Sequence, residues 1–121
     1  GFTISGDVVT APTLKIKATD QGFESIEGFD PGILVKYDSQ VGDTYSTSWG
    51  NTRTVTHKST TDDYPWGGMN IKVLKVEEPK NSGGVSKIIY YANHNWGMVG
   101  VEFVLQTGVT LKFPVTLTAA K

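Results

Sequence analysis

The sequence predicts an all-β, or at least β-dominated, fold, and three observations carry that expectation. Thr and Val, stiff at χ1 and suited to pleated strands, number 15 and 13, against only 5 Ala and 6 Leu. Short segments alternate apolar and polar residues with period two. The 14 Gly and 5 Pro cut the chain into pieces too short for the helical crossovers of a parallel sheet. At 121 residues, one β domain spanning residues 1–121 is expected. Its 38% hydrophobic content is enough for a core without a metal or disulfide.

The elements follow in order. Residues 1–11, with Phe2, Ile4, Val8 and Val9, make one short strand at most before Pro12 ends it. Leu14, Ile16 and Ala18 alternate with Lys15 and Lys17, as in a half-buried strand. Residues 19–32 are turn-rich, and Phe23, Ile26 and Phe29 lie three apart, which predicts a loop carrying at most one helical turn. Ile33, Leu34 and Val35 open a strand that ends at Tyr37. Residues 44–60 read as a hairpin turning at Gly50 and Asn51.

Residues 61–69, with Pro65, Gly67 and Gly68, read as a loop. Residues 70–78 form a strand whose alternation slips. Ile71 and Val73 share one parity and Leu74 and Val76 the other, so either both faces are covered or a bulge intervenes. A polar hairpin loop at 79–84 leads to a strand at 86–93, then a second loop through Asn93, His94, Asn95 and Trp96. The last hairpin is the clearest. Val99, Val101, Phe103 and Leu105 share one face, and Val109, Leu111, Phe113, Val115 and Leu117 another. Pro114 cannot donate to a ladder, so that strand belongs at an edge or turns that position outward. The expected product is a single curved antiparallel meander of six to nine strands that closes into a half-barrel, a barrel or a sandwich.

Composition also removes function classes. A net charge of −1 supplies no basic field for nucleic acid. The absence of Cys excludes thiol catalysis, zinc–thiolate clusters and disulfide frameworks. No apolar run approaches the ~18–20 residues of a membrane-spanning helix, so no transmembrane segment is expected. The chain starts on Gly1 and not Met, which fits either a cloning remnant or a processed start, and the second favours export.

Three segments together carry a resemblance. They are Val41, Gly42, Asp43, Thr44 and Tyr45; then Tyr64 and Pro65 through Gly68 to Ile71, Lys72 and Val73; then Tyr90, Tyr91 and Ala92 with Gly97, Val99 and Glu102. In order and spacing they resemble exported bacterial proteins, many of them lipoproteins, over roughly residues 41–106. The resemblance implies a half-barrel, lipoprotein-carrier-like sheet and an extracytoplasmic location, in the periplasm or at the cell surface. It supplies no catalytic residues, since the matched positions are turn glycines, a strand-start proline and core aromatics.

Candidate chemistry is sparse. His57 and His94 lack the three or four ligands of a metal site, although Asp62 and Asp63 could approach His57. Adjacent acids such as Glu77 and Glu78 point to opposite faces and cannot form a glycosidase pair, and Glu102 faces solvent or a groove. Neither a Gly-x-Ser-x-Gly elbow nor a Ser-x-x-Lys pair is present. No catalytic residue, metal ligand or cofactor is therefore expected, and the chain reads as a non-enzyme.

The aromatics stand out. Trp49, Tyr64, Trp66 and Trp96 lie in or beside loops, where exposed rings are costly unless they contact a ligand. Together with Asn95, and with Asn93 nearby, they are the candidate ligand-binding residues; the same rings could instead plug an open end of the sheet. The leading expectation is a non-enzymatic, extracytoplasmic β-domain with a binding or structural role, whose concave sheet could hold an apolar ligand against Val101, Phe103, Leu111 and Phe113. The alternative is a carbohydrate-binding module built on the loop tryptophans. The expected partner is a small molecule, a glycan or an envelope component.

Overall fold

The computed structural model describes residues 3–5, 8–10, 15–27, 29–82 and 84–114. Those residues form thirteen strands and no helix, so the fold is all-β. Two short strands, β1 (Thr3–Ser5) and β2 (Val8–Thr10), pair with each other where one strand at most was expected. Next come β3 (Lys15–Thr19), β4 (Gly22–Glu27) and β5 (Gly32–Lys36), a three-stranded antiparallel sheet. Strand β4 occupies the segment expected to be a loop with a helical turn. Phe23 and Phe29 are buried there, but Ile26, the middle residue of the three-residue spacing, is exposed.

The main sheet has six strands: β6 (Thr44–Ser46), β7 (Thr52–Lys58), β10 (Leu74–Ser82), β11 (Val85–Asn93), β12 (Gly97–Leu105) and β13 (Thr110–Pro114). Its order is β13-β12-β11-β10-β7-β6, antiparallel throughout. Pro114 lies on β13, an edge strand, as its missing amide hydrogen requires. Between β7 and β10 the chain leaves this sheet to form a hairpin, β8 (Tyr64–Trp66) and β9 (Met69–Ile71). Gly67 and Gly68 turn it with φ of +58° and +83°, the pair of positive values that a two-residue hairpin turn needs.

None of the sheets closes into a barrel; the layers stack as in a sandwich. The three-stranded sheet covers one face of the six-stranded sheet. Phe23, Leu34 and Val35 pack there with Val55, Val76, Ile88, Tyr90, Val101 and Phe103. The β8–β9 hairpin covers part of the other face, where Tyr64 and Trp66 pack against Ile71, Val73, Ile89, Tyr91 and Val99.

The slip in alternation at residues 70–78 has its cause in this layout. Ile71 and Val73 belong to the outer cluster and Leu74 and Val76 to the inner one, because the chain passes from the hairpin into the main sheet between them. Val99 departs from its expected face for a different reason. Tyr91 pairs with Gly100 but Ala92 pairs with Met98, so Val99 is the extra residue of a bulge and joins the outer cluster. Leu111 and Phe113 pack against the inner core as expected, but Val109 is exposed. Val115 and Leu117 lie outside the described residues.

A buried polar knot ties the layers together. Arg53 and Glu78 sit on neighbouring strands, both 0% exposed, with Nε 2.6 Å from Oε1. The other guanidinium nitrogens donate to the carbonyls of Ile33 (3.1 Å) and Asp30 (2.7 Å) in the three-stranded layer and its entrance. Glu78 also accepts from the Tyr90 hydroxyl (2.9 Å) and from Asn51 Nδ2 (3.1 Å). Among the described residues, no buried side-chain polar atom lacks a partner.

Candidate functional site

The backbone first decides which aromatics can meet. Leu74 of β10 pairs with Ala92, so the turn from Asn93 to Gly97 projects from the Leu74 end of the sheet. The β8–β9 hairpin lies against the outer face and feeds directly into Leu74, which brings Trp66 to the same end. The Trp66 and Trp96 rings meet there, centroids 5.4 Å apart and planes tilted by 43°. Trp66 is half-buried against the outer cluster, whereas Trp96 rides on it with 49% of its surface exposed. The pair is thus partly a plug and partly an open face.

Trp49 does not join them. It sits in the β6–β7 loop, whose Asn51 side chain donates to the Pro79 carbonyl at the opposite end of β10. Pro79 lies five strand steps beyond Leu74, roughly 17 Å. Trp49 is 67% exposed at that far end. Tyr64 lies two residues before Trp66 and is stacked on Tyr91, centroids 4.8 Å apart and planes 26° apart. A side chain at Gly100 would collide with the Tyr64 hydroxyl, which explains a glycine in the middle of β12. Burial raises the pKa of both phenols, and the nearby Glu102 carboxylate adds to the shift. Tyr64 therefore covers the sheet and does not present its ring face.

The turn that carries Trp96 is fixed by a residue expected to be a free amide. Asn93 is buried, and its Oδ1 accepts the backbone N–H groups of Asn95 (2.8 Å) and Trp96 (3.2 Å). Its Nδ2 donates to the Lys72 carbonyl at 2.8 Å, which fastens the turn to the chain joining β9 and β10. Asn93 is consumed in this role, and Asn95 is the exposed amide beside Trp96. The double use of an Asn at the start of a four-residue turn is the sequence signal for this anchor.

Beside the turn is a cleft of about 100 Å³, lined by Tyr37, Ser59, Lys72, Asn93 and His94, with Leu74 and Ala92 also in its walls. No local signal joins Tyr37 and Lys72 to His94, because only the folded sheet brings the end of β5 to the end of β11.

His57 has a different environment. Its Nε2 lies 3.7 Å from Asp63 Oδ2 and 3.4 Å from Ser59 Oγ, in a half-exposed setting. The three residue types of a hydrolytic triad are present but wrongly connected. Both partners address the same ring nitrogen, and Ser59 donates its proton to Asp63 at 2.7 Å while accepting from the Val73 amide. Asp62 is not part of this contact. Among the described residues, no group of three His, Asp or Glu side chains could hold a metal ion. None of the described elements is a helix long and apolar enough to cross a membrane. No protein-family model, curated protein or solved structure matches the chain.

Proposed function

We infer that this chain is a non-enzymatic, extracytoplasmic binding domain and that its ligand is a glycan held on the Trp66–Trp96 pair. The observation that carries this reading is the half-exposed Trp96 ring, backed by Trp66 and mounted on a turn locked by Asn93. A large apolar ring left in water on a rigid mount loses little entropy when a sugar face stacks on it. Asn95 stands beside it to exchange hydrogen bonds with hydroxyls. An apolar ligand held against the inner face has less support. Val101 and Phe103 are buried there, and Phe113 meets Phe103 edge-on with centroids 5.9 Å apart. The resemblance of residues 41–106 to exported bacterial proteins supports the location, and fractionation of the source cells with an antibody tests it; recovery in the cytoplasm refutes it.

Affinity electrophoresis through gels containing a panel of neutral and acidic polysaccharides tests the binding role. The expected result is retardation on at least one, lost by tenfold or more in apparent affinity in Trp96→Ala and unchanged in Trp49→Ala at the far end. Retardation on none, or equal retardation of Trp96→Ala and the native chain, overturns the reading.

A further inference from the structure

The cleft beside the Trp96 turn carries an inference about which glycans the site takes. It shares Asn93 with that turn, so the tryptophan pair and the cleft flank one rigid four-residue segment. Its polar lining includes one group that can only donate, the Lys72 ammonium. Lys72 contributes an ammonium group with no ion-pair or hydrogen-bond partner among the described residues, and His94 contributes an exposed imidazole two residues from Trp96. Tyr37 contributes a half-buried hydroxyl whose pKa burial raises, which keeps it protonated and donating. No carboxylate lines the cleft. Asp63 is engaged by the Ser59 hydroxyl and lies against His57. A neutral sugar offers hydroxyls that both donate and accept, and would be served by a mixed set of partners. A full positive charge with no carboxylate beside it is matched instead to an acceptor-only group.

We propose that the cleft is a subsite for the anionic substituent of an acidic sugar, a carboxylate held by Lys72, His94 and Tyr37 while the sugar ring rests on Trp96. This rests on the glycan reading above and sharpens it to uronate-bearing glycans. Lys72 supplies the charge. His94 and Tyr37 supply directed hydrogen bonds, and Asn93 fixes the distance between the cleft and the stacking surface.

The test is a ¹H–¹⁵N NMR titration of the full chain with a matched pair of probes, methyl β-D-glucuronide and methyl β-D-glucoside, which differ only in the carboxylate. Both should shift the Trp96 indole N–H resonance. The glucuronide should bind five- to tenfold more tightly and should alone shift the Lys72 and His94 amides. Lys72→Gln should abolish the difference between the probes without removing the Trp96 shift, and 1 M NaCl should shrink it by screening. Equal binding of the two probes, or a difference that survives in both Lys72→Gln and His94→Gln, overturns the proposal and leaves the glycan reading standing. No Trp96 shift with either probe, together with no retardation in the gels, brings down both.

Discussion

Replacing Arg53 with Met would remove one half of the polar knot and leave the other half in the dry interior. Arg53 and Glu78 are fully buried, and their 2.6 Å contact is only one of the bonds lost. Glu78 would keep a charge with two neutral donors, Tyr90 and Asn51. The carbonyls of Ile33 and Asp30 would lose their guanidinium donors, and with them two ties between the layers. Breaking a buried pair from one side costs ~3–5 kcal/mol, because an uncompensated charge stays behind. For a chain of this size that is a drop in Tm on the order of 15 °C.

Glu78→Gln tests the geometry more finely. Its amide oxygen could still accept from Arg53 and Tyr90, but its NH₂ would face Asn51 Nδ2, donor against donor. Asn51 cannot flip to relieve this without losing its bonds to the Pro79 carbonyl and the Thr52 amide. Guanidinium denaturation followed by far-UV circular dichroism reads both variants, the Glu78→Met single and the Arg53→Met/Glu78→Met double. The double should lose ~2 kcal/mol less than the two Met singles added together. A loss below ~1 kcal/mol in Arg53→Met would refute the reasoning, since it would mean that water reaches the pair.

Two further outcomes follow from the sheet faces. Phe103→Ala should cost ~3–5 kcal/mol, because Phe103 is buried in the inner core, while Phe113→Ala on the half-exposed edge strand should cost about half as much; equal losses would contradict the placement of β13 at the edge. On the outer face, the folded pKa values of Tyr64 and Tyr91 lie above the ordinary value near 10, first through burial and then through Glu102. A raised tyrosine contributes stability that is complete below pH ~10 and is lost as pH climbs toward the folded pKa. Glu102→Gln should therefore lower the Tyr91 titration, followed by absorbance near 295 nm, without bringing it to 10, because the burial cause remains. An unchanged titration would remove Glu102 as a cause.

How far the fold was legible in the sequence follows from which forces are local. The β6–β7, β11–β12 and β12–β13 hairpins are written in Gly and Asn turns between alternating runs, and each forms about those turns, although β6 ends at Ser46, four residues before Gly50. Strand β4 was illegible because its pairing partners on both sides, β3 and β5, decide its conformation, whereas Phe23, Ile26 and Phe29 imitate a helical spacing. Pro65 disguised β8, which tolerates it because Pro65 is exposed on a two-stranded hairpin. The polar knot had a visible trace: Arg53 shares the inward parity of Val55, and Glu78 that of Leu74 and Val76. Opposite charges at core-facing positions of two strands are the signature of a buried pair, but sequence does not say that those strands are neighbours, since the β8–β9 hairpin intervenes.

The same distinction separates the two halves of the candidate site. Tryptophan in a loop is a local anomaly, visible without a fold, and it singled out Trp66, Trp96 and Trp49 alike. Only the register of β10 against β11 and β7 divides them, bringing the first two to one end and leaving Trp49 at the other. The excursion of β8 and β9 supplies Trp66 as the floor under Trp96, and its return supplies Lys72, whose carbonyl anchors Asn93 and which lines the cleft. One chain segment thus couples the stacking surface to the charged wall. If a ligand uses both, Lys72→Gln and Trp96→Ala should show a coupling energy in a double-mutant cycle, whereas two unrelated surface features would simply add.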